Sequence, residues 1–216
     1  MTKLCMTRWL QFFMVTAILT VSFQATAATV SYYLDQSNIT ALPDGTNYLK
    51  VTISDSVIVS GNIDFKVETL FPLTSIATGG FGIDQFGFNT NNNTLTSSNF
   101  VLPSQWSYIG VGNMDGFGKF ELRTDTNGSA NRLSVLNFSV TGISGDTVMD
   151  YVMLSAGNAG QGNTFFASHV AGFNASGTTS AYFGGSTPVP VPASVWLFGS
   201  GLMGIASLLR KKKTLA

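Results

Sequence analysis

Apolar residues fall at every second position in four separate stretches, and that period fixes what the middle of this chain can become. Leu49, Val51 and Ile53 alternate with Lys50, Thr52 and Ser54. Ile63, Phe65 and Val67 alternate with Asp64, Lys66 and Glu68. Phe120 and Leu122 alternate with Lys119, Glu121 and Arg123, and Leu136, Phe138 and Val140 with Asn137 and Ser139. A strand turns successive side chains to opposite faces, so each stretch predicts a strand with one apolar and one polar face. Sheets buried on one face only are usually antiparallel. Further strands are expected near Val30–Leu34, Phe81–Phe88, Val148–Leu154 and Phe165–Val170, and no stretch has convincing helical periodicity. Asp44-Gly45, Asp115-Gly116, Asn127-Gly128 and Ser144-Gly145 supply turns between them. The expected fold is all-β: an antiparallel, jelly-roll-like β-sandwich over residues 28–185. The polar stretch Asn89–Asn99 is expected to be a surface loop, and the Gly-rich stretch Ser176–Gly185 a last strand running into a linker.

Both ends read differently. Lys3 and Arg8 precede an apolar run from Trp9 to Phe23, and Ala25-Thr26-Ala27 follows. A basic start, an apolar run and small residues at two alternate positions form a secretory signal, so residues 1–27 are expected to be removed by signal peptidase after Ala27. At the other end, prolines alternate at 188, 190 and 192, which favours an extended backbone and blocks helix. Residues 193–209 then carry no charge, and Arg210, Lys211, Lys212 and Lys213 stop the run. As a helix this run spans about 25 Å at ~1.5 Å per residue, just enough to cross a bilayer core. The basic stop predicts a cytoplasmic C-terminus.

Charge follows the same division. Between the termini there are five basic residues against the chain's eleven acidic ones, a net charge near −6. That sign disfavours nucleic acid, whose phosphates need basic partners. The one cysteine, Cys5, lies inside the signal, so the exported domain has neither a disulfide nor a thiolate metal site.

The segment from Val189 through Pro190, Val191, Pro192 and Ala193 to Trp196, Leu197, Phe198, Gly199 and Leu202, followed by the basic end, resembles the PEP-CTERM sorting domain. That family joins a proline motif (188–192 here), a transmembrane helix (193–209) and a basic tail (210–213) at the extreme C-terminus, so residues 186–216 are expected to be the sorting tail. Val191 stands where the name-giving pattern has Glu. The resemblance implies recognition by an exosortase, a membrane enzyme of bacteria that make exopolysaccharide. It also implies an inner-membrane precursor that later reaches the cell surface or matrix. A plain tail anchor explains the apolar run and basic stop equally well, but not the proline motif.

Chemistry in the middle region is sparse, and no catalytic residue is assigned. His169 is the only histidine, a poor start for a metal site. Ser168 lacks the glycines of a nucleophile elbow. A triad drawing on Asp146 or Asp150 is conceivable for any chain with one histidine. Asp115, Asp125 or Asp146 are the turn carboxylates from which a calcium site would be built; no other cofactor is implied. Trp106, Tyr108, Tyr32, Tyr33 and Tyr182 are candidates for a sugar-stacking platform, against the commoner use of strand aromatics in a core. Asp64 and Glu68 are the nearest thing to a glycosidase pair. The expectation is a non-enzymatic surface or matrix protein with a structural or adhesive role in exopolysaccharide or biofilm. A carbohydrate-binding module is the alternative, followed by a simple tail-anchored protein or a glycan-active enzyme.

Overall fold

A computed structural model describes residues 28–189, apart from 57, 58, 60 and 93. The expected signal with Ala25 and Ala27, the motif Pro190, Val191 and Pro192, the apolar run and the basic stop lie outside the described residues. Among the described residues no helix is long and apolar enough to cross a membrane.

Among the described residues fourteen strands form in chain order: β1 Thr29–Leu34, β2 Gln36–Ser37, β3 Leu49–Asp55, β4 Ile63–Thr69, β5 Ala77–Phe88, β6 Phe100–Val101, β7 Trp106–Tyr108, β8 Gly112–Met114, β9 Gly118–Phe120, β10 Leu122–Thr126, β11 Val135–Val140, β12 Phe166–Ala175, β13 Thr178–Gly185 and β14 Thr187–Pro188. A single helical turn, α1 (Phe71–Thr74), links β4 to β5. Sheet A has the order β14-β1-β3-β4-β11-β6 and sheet B the order β2-β13-β12-β5-β10-β7, while β8 and β9 form a separate hairpin. Every pairing is antiparallel. The chain crosses between sheets repeatedly, at β1–β2, β2–β3, β4–β5, β5–β6, β6–β7, β10–β11, β11–β12 and β13–β14, whereas β3–β4 and β12–β13 are hairpins within one sheet.

Alternation decides the core. Leu49, Val51 and Ile53 are buried, as are Ile63, Phe65 and Val67, and Leu136, Phe138 and Val140. They meet Phe86, Phe88, Phe166, Val170 and Phe183 of sheet B in one cluster. Phe65 is at its centre, stacked on Phe138 at 4.7 Å and tilted against Phe88 at 4.9 Å. Burying each such ring contributes roughly 1.5–3 kcal/mol from area alone.

Two expectations need correction. Val148–Leu154 is not a strand: Val148–Tyr151 is a 3₁₀ turn, and irregular chain follows. The Thr147 N–H and hydroxyl both bond the Asp150 carboxylate at 2.8 Å. This local capping pair outweighs a run of β-prone residues without clean alternation. Phe120 and Leu122 alternate as expected but belong to different strands, because the chain breaks at Glu121. Leu122 enters the main core, while Phe120 joins Met114, Phe117 and Ala167 in a second cluster on the outer side of sheet B. Residues 176–185 also hold more regular structure than their glycines suggest. β13 lies inside sheet B between β2 and β12, and a Cβ on Gly184 would come within 2.7 Å of the Phe117 ring. Glycine serves here for close approach.

Candidate functional site

Two regions invite a functional reading: the root of the C-terminal tail and the outer face of sheet B. At the root, β14 adds to the edge of sheet A, pairing Tyr32 with Pro188 and Tyr33 with Thr187. Proline cannot donate to a ladder, so an edge strand is where Pro188 fits. The Val189 N–H donates to the Ser31 carbonyl at 2.9 Å. The Thr187 hydroxyl donates to Asp35 at 2.8 Å, and the Ser186 hydroxyl oxygen accepts from the Phe165 N–H at 2.9 Å. The sandwich therefore runs into the stretch expected to be tail. Because β14 and β1 are antiparallel, the tail leaves from the end where β1 begins, beside Ala28. Ala28 is itself tied to Asp55 through a 3.0 Å bond from its N–H.

On sheet B, register lines up Ser107, Asp125, Gln85, His169 and Tyr182 across β7, β10, β5, β12 and β13. A register shift beside His169 places Asp84 next to this row. Asp84 accepts from Arg132 Nε at 2.8 Å and lies 3.0 Å from His169 Nδ1. The His169 ring rests on Tyr182 at 4.5 Å. Gln85 donates to Asp125 at 3.4 Å. Burial, then the neighbouring Asp84 charge, raises the Asp125 carboxyl above its ordinary pKa. Tyr182 is raised too, by burial first and then by Asp115. Asn38 fixes the far side: its amide donates to Asp115 at 2.9 Å and its oxygen accepts from the Tyr182 N–H at 2.9 Å. The β8–β9 hairpin overhangs the row. The result is a face of amide, carboxylate, imidazole and guanidinium groups beside one phenol ring, suited to hydrogen-bonding a polar ligand.

The other candidates fall elsewhere. Ser168 points to the opposite face from His169 and donates to the Gln85 carbonyl, so the two do not form a nucleophile–base pair. Asp146 accepts from the Tyr151 hydroxyl, and Asp150 from Thr147 and from Asn91 at 2.6 Å. Neither bonds His169, whose carboxylate partner is Asp84. The Asn91 bond, ahead of the Thr147 bonds, holds Asp150 below the usual carboxylate range. Asp115, Asp125 and Asp146 sit on different elements with separate partners. Among the described residues no three His, Cys, Asp or Glu side chains group as a metal site. The five aromatics do not form a platform. Tyr32 and Trp106 are core residues, and Tyr108 stacks on Phe100 at 4.8 Å. Asp64 and Glu68 lie four residues apart along β4, about 13 Å at ~3.3 Å per residue, beyond the roughly 5–9.5 Å of glycosidase pairs. Asp64 instead accepts from Ser139 at 2.6 Å, in an open groove of about 600 Å³ with Thr52, Ser54 and Asn137. Glu68 pairs with Lys66.

The sequence singles out His169, Asp125 and Tyr182 separately, as a lone histidine, a turn carboxylate and a strand aromatic. Asp84, Gln85 and Ser107 join them only through the pairing of β7, β10, β5, β12 and β13.

Fold and tail root together define an all-β sandwich whose last strand leads straight into a C-terminal sorting segment. Residues 188–212 match the PEP-CTERM protein-sorting motif, beginning on β14 itself. The motif identifies the chain as an exported protein sorted by an exosortase. No curated protein and no solved structure matches the chain.

Proposed function

We propose that this is a cell-surface or matrix protein with a structural or adhesive role in exopolysaccharide or biofilm, delivered by its tail. Signal peptidase removes residues 1–27, and the sandwich folds outside the inner membrane. Residues 193–209 hold the precursor in that membrane, because carrying Arg210–Lys213 through hydrocarbon is costly. Pro190, Val191 and Pro192 then present extended backbone to the exosortase without any helix to unwind. One observation carries this reading: the sorting motif starts on the strand that completes sheet A, so the folded domain and its delivery signal are continuous.

The test replaces Pro190 and Pro192 by Ala together. Membrane insertion should persist and tail release should stop. The readout is mass and membrane fractionation of the exported protein in hosts with and without an exosortase. A tail that stays attached in both hosts, with the natural sequence, means a simple tail anchor and refutes the proposal.

A second reading, a carbohydrate-binding module, draws support from the outer-face row with its single exposed-side ring pair, His169 and Tyr182. Sugars are held by such mixtures of hydrogen-bonding groups and ring faces. A glycan array on the exported domain decides it: binding lost in Tyr182→Ala favours this reading.

A further inference from the structure

The two loop ends of the sandwich differ, and the tail leaves from one of them. At that end Thr29 pairs with Ser54, Asp55 with Ile63, and Ile63 with Val140. Residues 148–154 close it. Val148 and Tyr151 turn inward, with Tyr151 meeting the Phe65 ring at 5.4 Å and the Phe88 ring at 6.0 Å. Asn91 and Asn89, just beyond β5, bind the backbone carbonyls of Asp150 and Leu154 at 3.1 and 2.8 Å. Met149, Met153 and Leu154 point outward instead, 58%, 41% and 55% exposed. Three large apolar side chains exposed within six residues give folding no benefit, and such patches mark contact surfaces.

Chain length identifies the contact. Val189 still donates to Ser31, and only residues 190–192 separate it from the apolar run that starts at Ala193. Three extended residues reach about 10 Å. A tail seated in the membrane therefore holds this end, and not the Phe71 end, against the bilayer.

We infer that in the anchored precursor this loop end rests on the lipid surface, with Met149, Met153 and Leu154 in the interfacial layer. The inference rests on the tail-anchored precursor proposed above. Asp55, Asp146 and Asp150 lie at the same end, so apolar contact and not attraction to anionic headgroups makes the attachment.

The test uses the full chain carrying Cys5→Ser, with single fluorophore labels through Met149→Cys, Met153→Cys, Phe71→Cys or Leu202→Cys. Each is reconstituted in phosphatidylcholine vesicles containing lipid-borne quenchers at headgroup or mid-chain depth. Position 71 lies beyond the far end of β4, about 20 Å away at ~3.3 Å per residue. Headgroup quenching should be severalfold stronger at 149 and 153 than at 71, with mid-chain quenching at 202. Adding anionic lipid should not increase it. Equal, weak quenching at 149, 153 and 71 with 202 still quenched overturns the inference and leaves tail anchoring standing. No quenching at 202 overturns both. Shielding at 149 and 153 only when an exosortase is added assigns the face to that enzyme and overturns the lipid contact.

Discussion

Gly185 lies where the chain leaves sheet B for the edge of sheet A, and a side chain does not fit there. A Cβ at this position would fall inside contact distance of the Tyr33 carbonyl oxygen and 2.7 Å from Leu34 Cα. Both are backbone atoms of β1, so no rotamer change relieves the collision. Comfortable carbon contacts lie near 3.5–4.0 Å, so Gly185→Ala requires a strand shift of about 1 Å. Overpacking of this kind costs about 1–3 kcal/mol, and rigid neighbours put this site at the upper end. With a urea slope of about 1–3 kcal/mol/M, a loss of ~3 kcal/mol lowers the unfolding midpoint by about 1–3 M. Trp106, 6% exposed, reports the transition through its fluorescence in the exported domain. Gly79→Ala is the control: a Cβ there meets nothing within 4 Å. It should stay within about 0.5 kcal/mol of the parent. The damage should also be local, with faster proteolysis at residues 186–189 below the midpoint. A Gly185→Ala domain that unfolds with the parent and resists protease equally would refute the close packing of the tail root.

Phe65→Ala removes the ring that touches Phe138, Phe88, Phe86 and Tyr151. Thermal or urea unfolding should show a loss of about 3–5 kcal/mol. Asp125→Asn should act in the other direction. A carboxyl whose folded pKa is raised adds stability below its unfolded pKa and loses it as pH rises through the folded value. The substitution should therefore raise the melting temperature at pH 7, and the gain should fade toward pH 3.8, the ordinary aspartate value; a gain that is constant across that range would be inconsistent with the burial account.

Period-2 alternation was legible wherever one face of a strand meets solvent, as in β3, β4 and β11. It failed where local hydrogen bonding competes, at Thr147 and Asp150, and where small residues serve close packing, at Gly184 and Gly185. The tail motif was legible because its order of prolines, apolar run and basic stop is linear. The row on sheet B was not. Asp84 and His169 stand 85 positions apart, and only the register of β5 against β12 brings them together. No single sequence states that register. The same holds for Met149, Met153 and Leu154, which read as strand until Tyr151 is seen to plug the sandwich.

The polar groups on the outer face of sheet B are largely bonded to one another. Asp84 is occupied by both Arg132 and His169, and the Asn38 amide joins Asp115 to the Tyr182 backbone. Groups already paired with one another make a firm surface, and drawing one into proton transfer costs the bonds of its neighbours. Most of the large aromatic side chains that a sugar cleft would line up are spent instead on the core, around Phe65. Met149, Met153 and Leu154, three of the exposed apolar side chains, are at the end from which the tail departs. A domain held by that end turns its other end and both outer sheet faces outward. The Asp125–Gln85–His169–Tyr182 row then stands along the side of the domain, partly covered by the β8–β9 hairpin, with His169 and Asp84 keeping 16% and 20% of their side-chain surface exposed; a structural or adhesive role would meet its neighbours there.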